Sequence, residues 1–398
     1  MKKTLAAILA LVLTLSLCSL AWADTCDKGG SCTEHVAKIG NEHYATLQAA
    51  FDAAKDGDTI TLLKSCSGNG VVAAEGKYPT GLTVDFAGHS YTVGGVLVGS
   101  SGTASNAFQL LKGNTITFKN GAIYGDAAVA GDATTEWTGA PAIMIQNYSD
   151  LTLLNMVVSG GEETVYTISN NNGDSVFENT TINPGKAKGY SSAPVAFDVC
   201  RYSSYPSVSV TVKGTSKING DVEVSGDIGQ GQSRQLNIEN GTFGGAFKIS
   251  ENVPANISVS GGTFSENVID YLPEGAALAQ IGEQEKYVVG ADNIKAEAQS
   301  GNDVKVLLGN VAFTDVPSGT KITNQGGGDV TVNGGNKLDE GTTYTVPAKY
   351  YYYYPSTSTT DSTTGKASPK TFDAGIGVYA VTAVLSLTGL AYTGKKKF

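Results

Sequence analysis

Short β-branched runs recur along this chain between turns rich in Gly, Asn and Asp, and this pattern constrains the fold most. The runs are Leu82–Phe86, Thr115–Phe118, Leu151–Met156, Ser175–Phe177, Val208–Val212, Leu236–Ile238 and Ile257–Val259. The phrases Asn240-Gly241-Thr242-Phe243 and Gly261-Gly262-Thr263-Phe264 match at an offset of 21 residues, and an offset of 36 relates Ile116 to Thr152. Offsets of this size indicate a solenoid, and the absence of helical patterns between the runs argues against a doubly wound α/β fold.

One short amphipathic helix is predicted ahead of these runs. Its apolar face is formed by Leu47, Ala50, Phe51 and Ala54, which fall at helical spacing. Thr46 is the expected N-cap. Asp56-Gly57-Asp58 ends the helix and turns the chain into a strand at Thr59–Leu63.

The entry at residues 43–64 and the Gly-Thr-Phe phrases resemble the right-handed parallel β-helix of pectate-lyase-like proteins. In that family a helix covers the open end of the solenoid, where backbone groups are otherwise unpaired. The resemblance therefore implies an all-β, right-handed parallel β-helix with a short N-terminal capping helix, over roughly residues 40–290. Tandem β-sandwich domains are the alternative, because they also use many short strands.

Residues 1–23 have the features of a secretory signal peptide. Two lysines precede an apolar run, and Ala21 and Ala23 fit the small-x-small cleavage rule, so that the mature chain starts at Asp24. A lipoprotein signal at Cys18 is the alternative, but the residues before it match a lipobox poorly.

The C-terminus combines a hexapeptide, an apolar span at residues 374–393 and a tail of three lysines. The hexapeptide is Ser368, Pro369, Lys370, Thr371, Phe372 and Asp373. The span carries no charge. At about 1.5 Å per residue, 20 helical residues extend ~30 Å, the thickness of a bilayer core. A C-terminal transmembrane helix is therefore predicted, with the lysines on the cytoplasmic side.

This order of motif, span and basic tail resembles the sorting signal of Gram-positive cell-wall proteins, which carry a Leu-Pro-x-Thr-Gly-like pentapeptide. Pro369 and Thr371 match, and Asp373 matches the acidic residue that often follows. Ser368 and Phe372 replace the usual Leu and Gly, which leaves the sortase class open. The resemblance implies that a sortase cleaves after Thr371 and joins its carbonyl to an amine of peptidoglycan. A plain membrane anchor is the alternative reading.

The charge of the exported chain excludes some partners. The whole chain has 27 basic and 37 acidic residues, a net charge of −10. Processing removes five lysines and Asp373, which leaves 22 basic and 36 acidic residues in 24–371, a net charge of −14. Such a balance argues against binding to nucleic acid or to an anionic membrane surface. Membrane contact is expected only through the C-terminal span before sorting.

The composition shifts divide the chain into six segments. They are the signal peptide at 1–23, a Cys-containing segment at 24–40, the β-helix with its cap at 41–290, a β module or last coils at 291–347, a Tyr/Ser/Thr stalk at 348–367 and the sorting signal at 368–398. Tyr287–Val289 is expected to be a closing strand. The stalk is too polar to bury a core, so an extended spacer is predicted.

Four cysteines remain after signal removal: Cys26, Cys32, Cys66 and Cys200. A disulfide between Cys26 and Cys32 is predicted, because both lie in a Gly-rich stretch that bends freely in an exported protein. Sequence alone still allows three connectivities. A zinc site would have to combine Cys26 and Cys32 with His35 and His43, and a local loop is the simpler interpretation.

No catalytic constellation emerges from the sequence. The paired-Asp, His-Gly and Arg-x-Lys signatures of polygalacturonase-like enzymes are missing. Lyases of the family that the chain resembles use Arg or Lys as base, with calcium held by acidic residues. The chain has two arginines, and Arg201, close in sequence to Asp198 and Tyr202, is the better candidate base. A loop ion pair is the simpler role for Arg201.

The sequence therefore predicts a non-catalytic surface protein that binds host or dietary glycans, binds proteins or serves as a structural coat. The tyrosines considered for stacking on sugar rings are Tyr148, Tyr166, Tyr202 and Tyr205. The alternative is a surface polysaccharide lyase or glycoside hydrolase. No cofactor is predicted, and calcium enters only as a bridge to an anionic substrate.

Overall fold

The computed structural model describes residues 34–100, 104–126, 140–202, 205–226, 233–250, 256–283 and 286–348. The predicted signal peptide, the Cys26–Cys32 disulfide, the stalk beyond residue 348 and the sorting signal lie outside these residues and stay predictions. None of the helices in the described ranges is long and apolar enough to cross a membrane. The predicted span at 374–393 lies outside those ranges.

Strands dominate the described residues. The strands are β1 Ala37–Ile39, β2 Glu42–Tyr44, β3 Thr59–Leu62, β4 Cys66–Gly68, β5 Val71–Ala73, β6 Leu82–Asp85, β7 Ser90–Val93, β8 Asn106–Leu110, β9 Thr115–Tyr124, β10 Ile143–Asn147, β11 Asp150–Ser159, β12 Tyr166–Asn170, β13 Gly173–Glu178, β14 Thr181–Asn183, β15 Val195–Cys200, β16 Ser207–Lys213, β17 Lys217–Ile218, β18 Asp221–Ser225, β19 Ser233–Ile238, β20 Thr242–Phe243, β21 Phe247–Ile249, β22 Asn256–Val259, β23 Gly262–Phe264, β24 Leu278–Ile281, β25 Tyr287–Val289, β26 Val304–Leu308, β27 Val311–Phe313, β28 Lys321–Asn324, β29 Val330–Val332, β30 Asn336–Leu338 and β31 Thr343–Thr345. The helices are α1 Leu47–Ala53 and α2 Ala291–Gln299, with one 3-10 turn at Ile269–Tyr271.

The described strands stack in successive layers, and three long ladders of parallel strands connect neighbouring layers. The first joins β3, β6, β9, β11, β13, β16, β19 and β22. The second joins β4, β7, β9, β11, β14, β17, β20 and β23. The third is a separate seven-stranded sheet of β5, β8, β10, β12, β15, β18 and β21. This mostly-β arrangement is compatible with a β-helix or another solenoid.

The ladders share one apolar core. In β16, Val208, Val210 and Val212 are fully buried, and the residues between them are half-buried, as expected for a strand with one face inward. The rings of Phe177 in the first ladder and Phe197 in the third lie 5.4 Å apart, edge to face. Side chains from the first and third ladders therefore meet in the core.

The observed strand register corrects one of the repeat offsets that were predicted from the sequence. Ile116 pairs with Leu151, and Thr117 pairs with Thr152, so this repeat is 35 residues and the predicted 36 is wrong. A one-residue slip of either strand would turn its buried residue, Ile116 or Leu151, outward, because strand side chains alternate between faces. The 21-residue offset is confirmed: β20 and β23 pair in register, and the rings of Phe243 and Phe264 stack at 5.0 Å.

The helix α1 forms as the sequence predicts. The Thr46 hydroxyl accepts a hydrogen bond from the Ala49 N–H at 3.1 Å, and Leu47, Ala50 and Phe51 are buried. The Gln48 side chain pairs with the backbone of Val72 in the edge strand β5: its Oε1 accepts from the Val72 N–H at 2.7 Å, and its Nε2 donates to the Val72 carbonyl at 3.3 Å. The helix therefore satisfies backbone groups at the edge of the third ladder.

Antiparallel strands follow the parallel ladders. The predicted closing strand is β25, which pairs antiparallel with β23 and β24. Beyond it, α2, which the sequence analysis did not predict, buries Ile294 and Ala298 in a second apolar cluster. This cluster includes Ala279 of β24 and Val306 of β26, so it is built on strands that continue the large sheet.

Candidate functional site

A row of polar side chains crosses the seven-stranded sheet, one from each of six neighbouring strands. These residues, here called the polar row, are Gln109, Gln146, Ser169, Asp198, Glu223 and Lys248, and each pairs in register with the next. In three of these strands, the residues directly before and after the polar residue belong to the apolar core; the polar residues are Gln109, Asp198 and Glu223. Because strand side chains alternate, the row lies on the outer face of the sheet.

Amide hydrogen bonds order the first part of the row. The Gln146 Oε1 accepts from Asn106 Nδ2 at 2.7 Å and from Gln109 Nε2 at 3.2 Å. The Gln146 Nε2 donates to the Tyr148 hydroxyl at 3.0 Å. Hydrogen bonds at both its oxygen and its nitrogen thus fix the orientation of the Gln146 amide. This amide connects the row to Tyr148.

Asp198 is a buried carboxyl in the middle of the row, 4% exposed. Its Oδ2 accepts from Ser169 Oγ at 3.0 Å, and its Oδ1 accepts from the Asn170 N–H at 2.6 Å. Burial raises the pKa of Asp198 well above its usual range and outweighs the two hydrogen bonds, and the neighbouring Glu223 raises it further. The environment of Asp198 therefore favours a neutral carboxyl.

Glu223 is the second carboxyl of the row, on the strand next to Asp198, and it is half-buried. Tyr166 of β12 faces this pair. Burial raises the pKa of the Tyr166 phenol to about 12, and the negative charges of Glu223 and Asp198 contribute. Two carboxyls and one phenol thus converge on this part of the outer face.

Three tyrosines form a cluster beside the row, here called the tyrosine cluster: Tyr148, Tyr202 and Tyr205. The ring of Tyr148 lies 6.4 Å from that of Tyr202, edge to face, and 5.2 Å from that of Tyr205. Tyr148 directly follows β10, and Tyr202 follows β15, so both lie at the carboxyl end of the same parallel ladder. Tyr148 is 8% exposed, whereas Tyr202 is 55% exposed.

The structure brings together three of the four tyrosines named from the sequence. Tyr166 is outside the ring cluster and contributes to the carboxyl pair instead. Burial raises the pKa of Tyr148 to about 12, and the phenols of Tyr205 and Tyr202 raise it further. The Tyr148 phenol therefore remains a neutral donor and acceptor over the physiological pH range.

The arginine named as a candidate base does not reach the surface. Arg201 follows β15 and is 8% exposed, so its side chain is buried close in sequence to Asp198 and Tyr202. Arg234 of β19 is 1% exposed, and its Nη1 donates to the Gly226 carbonyl at 2.9 Å. A catalytic role of Arg201 stays a prediction.

Metal ligation receives no support in the described part of the chain. No group of three or more His, Cys, Asp or Glu side chains there is placed to hold a metal ion. The rings of His35 and His43 pack edge to face at 5.8 Å, while Cys26 and Cys32 lie outside the described residues. Cys66 and Cys200 are free cysteines, and burial raises the pKa of the Cys66 thiol to about 11.

The polar row was not predicted from the sequence, although three of its strands carry a local signal for it. Phe108-Gln109-Leu110, Phe197-Asp198-Val199 and Val222-Glu223-Val224 all place one polar residue between two apolar ones. Only the register shows that these residues are neighbours.

Comparisons of the chain with family models, with curated proteins and with solved structures found no match.

Proposed function

We propose that this chain is a non-catalytic surface protein, attached to the Gram-positive cell wall by a sortase at Thr371, that binds glycans through the tyrosine cluster and the polar row. In this proposal the parallel ladders form a right-handed β-helix of the pectate-lyase-like kind, with α1 as its cap. The predicted export and sorting signals support display outside the cell.

The observation that carries the binding proposal is an exposed ring on an ordered support. Tyr202 is 55% exposed and packs against Tyr148, which is held by Tyr205 and by the Gln146 amide. A tyrosine offers an apolar face together with a polar hydroxyl and loses little conformational entropy on binding. Sugar rings present the same combination of apolar faces and hydroxyl groups. Half-buried Gln146, whose amide donates a hydrogen bond to the Tyr148 hydroxyl, supplies an oriented polar group beside the cluster.

A pair of tyrosine variants tests this proposal. Tyr202→Ala removes the exposed ring, and Tyr190→Ala is the matched control, because Tyr190 is also exposed, at 48%. Tyr190 precedes β15, whereas Tyr202 follows it, and a strand of that length spans ~20 Å. On a glycan array, we expect Tyr202→Ala to lose about tenfold or more in affinity, as for an aromatic hot spot.

Two results would count against the proposal. An unaltered chain that binds no glycan would leave a protein ligand or a structural coat as the better explanation. Equal affinities of Tyr202→Ala and Tyr190→Ala would show that a bound glycan lies elsewhere on the chain.

A glycoside hydrolase is the second candidate, because Asp198 and Glu223 lie on neighbouring strands and the pKa of Asp198 is raised. Glycosidases use one protonated and one ionised carboxyl about 5–9 Å apart. We rank this function second, because Asp198 is 4% exposed and both of its oxygens accept hydrogen bonds within the protein. A product assay with Glu223→Gln tests it: turnover by the unaltered chain that is lost in this variant would identify an enzyme.

A further inference from the structure

One strand edge stays open where the three ladders begin. The strand β1 pairs with β3, the first strand of the first ladder. The Gln48 side chain of α1 pairs with β5, the first strand of the third ladder. The first strand of the second ladder is β4, and within the described residues it pairs with β7 alone. An uncovered strand edge is a site where another strand can pair.

The open side of β4 presents the backbone groups of Ser67. The Gly94 N–H donates to the Gly68 carbonyl at 3.2 Å, so the backbone groups of Gly68 face β7. Because these groups alternate in direction along a strand, the N–H and the carbonyl of Ser67 face away from β7. The described part of the chain offers neither of them a hydrogen-bond partner on that side.

A groove with a volume of about 160 Å³ lies along this open side. Its lining includes Val36 and the first residues of α1 on one side and Ser67, Gly68 and Asn69 on the other. The Ser67 side chain is exposed. The edge of β4 is therefore accessible to an extended segment.

The chain enters the described structure beside this groove. Val36 lies two residues after residue 34, where the described chain begins. Its carbonyl accepts from the Leu63 N–H at 2.9 Å, in the antiparallel register that joins β1 to β3. Four residues before Val36 lies Cys32, and four residues after Leu63 lies Ser67. An antiparallel register that continues from this pair brings Cys32 opposite Ser67.

We propose that residues 31–33 continue β1 towards the N-terminus and pair antiparallel with β4, with Cys32 opposite Ser67. The Cys32 N–H then donates to the Ser67 carbonyl, and the Cys32 carbonyl accepts from the Ser67 N–H. The two chains can bend together, because residues 34–36 and 63–65 both lie outside the strands. The occupant of the groove is thus a segment of the same chain.

The length and composition of the N-terminal segment suit this role. Residues 31–33 directly precede the described chain, so a short tether holds them at the groove. They are Ser, Cys and Thr, and each of them has an N–H to donate. Gly29-Gly30 before them is a turn signal that ends the strand. A second copy or a foreign peptide would instead lose translational freedom on pairing.

Hydrogen exchange at the Ser67 amide tests the pairing in the secreted chain, read by mass spectrometry. Cys32→Pro removes the N–H that donates to Ser67, and Cys32→Ser is the matched control, because it keeps the N–H and loses only the thiol. We expect the Ser67 amide to exchange about fivefold or more faster in Cys32→Pro than in the unaltered chain. Cys32→Ser should leave the rate unchanged.

Two exchange results would overturn the proposal. The first is a Ser67 amide that exchanges in the unaltered chain as fast as in Cys32→Pro. The second is protection of this amide that rises with the concentration of the chain, because it would assign the edge of β4 to a second copy.

A disulfide trap tests the register independently. Cys26→Ser and Cys66→Ser remove the competing thiols, and Ser67→Cys is then oxidised with glutathione disulfide. Asn69→Cys in the same background is the control, because Asn69 is also exposed and lies two residues along the same edge. Opposite Cα atoms of a hydrogen-bonded pair are ~5.5 Å apart, within disulfide range, whereas diagonal neighbours are ~7–8 Å apart.

Peptide mapping without reduction identifies the linked residues. Trypsin places Cys32 in residues 29–38, position 67 or 69 in residues 65–77 and Cys200 in residues 189–201. We expect the 29–38 peptide to be linked to the 65–77 peptide in the Ser67→Cys chain and not in the Asn69→Cys chain. Equal linkage in both chains, or linkage only in the Asn69→Cys chain, would overturn the proposed register.

Discussion

Two adjacent glycines offer a sharp test of how closely the layers approach each other. Gly244 and Gly245 lie between β20 and β21, and neither has a positive φ. A Cβ added to Gly245 would lie 2.2 Å from the carbonyl carbon of Gly220 and 2.4 Å from the N of Asp221. A Cβ added to Gly244 would meet its nearest atom, the Ile218 carbonyl oxygen, at 3.7 Å, an ordinary contact. One methyl group therefore clashes, and the other fits.

The clash at Gly245 cannot be relieved by a side-chain rotation, because both contacted atoms are backbone. The Val222 N–H donates to the Ala246 carbonyl at 2.9 Å, and the Ala246 N–H donates to Asp221 Oδ1 at 2.8 Å, so these layers are tied together beside the clash. Forcing such groups apart costs about 1–3 kcal/mol or more. Gly244→Ala should instead stabilise the fold by about 0.4–1 kcal/mol, because it restricts the unfolded chain.

The assay is thermal unfolding of the purified chain, followed by far-UV circular dichroism. A difference of about 3 kcal/mol between the two variants corresponds to roughly 6 °C in the midpoint, at about 2 °C per kcal/mol for a large domain. Gly244→Ala should unfold slightly above the unaltered chain, and Gly245→Ala well below it. Midpoints within about 1 °C of each other would refute the close approach of these layers and the register of β18 and β21 that produces it.

Three further predictions follow from single contacts. Asp198→Asn should raise the unfolding midpoint at neutral pH, because the raised pKa of Asp198 in the folded chain destabilises the native state when the carboxyl of the unfolded chain is ionised. The variant should lose this advantage over the unaltered chain towards about pH 4, where the carboxyl is protonated in the unfolded chain too. An advantage that grows in acid would contradict this prediction. Gln48→Ala removes both hydrogen bonds to Val72 and should cost about 1–2 kcal/mol of unfolding free energy, whereas Gln235→Ala, which loses an exposed contact, should change it little. Burial raises the pKa of the Cys66 thiol to about 11. Cys66 should therefore react with iodoacetamide far more slowly in the native than in the unfolded chain, as measured by mass spectrometry of its peptide. Equal rates would contradict its burial.

Local sequence patterns were sufficient to predict those elements whose structure is determined by their own residues. The helix α1 was predicted because Leu47, Ala50 and Phe51 lie on one face and Thr46 caps it. The helix α2 was missed, because its buried residues are Ile294 and one alanine and its other residues are alanines or polar residues. Such a helix gains its stability from packing against neighbouring strands, which a local pattern does not contain.

Register was harder to predict, because the layers differ in length. Thr59 pairs with Thr83, 24 residues on, whereas Thr117 pairs with Thr152, 35 residues on. The alternating Thr and apolar residues around positions 116 and 152 are in phase at an offset of 35 and out of phase at 36, and the choice depends on which side chains reach the core. Burial of Ile116 and Leu151 decides it.

The candidate site depends on register even more than the fold does. Asp198 and Glu223 are 25 positions apart in sequence, and they become neighbours only because β15 and β18 pair with a shift between Val195 and Phe197. Without that shift, Asp198 would pair with Val224, and Glu223 would pair with Phe197. The carboxyl pair would then be lost, and Val224 would face outward. Apolar burial of Val222 and Val224 thus holds the two carboxyls together, and the placement of these polar groups on the outer face follows from how the core is packed.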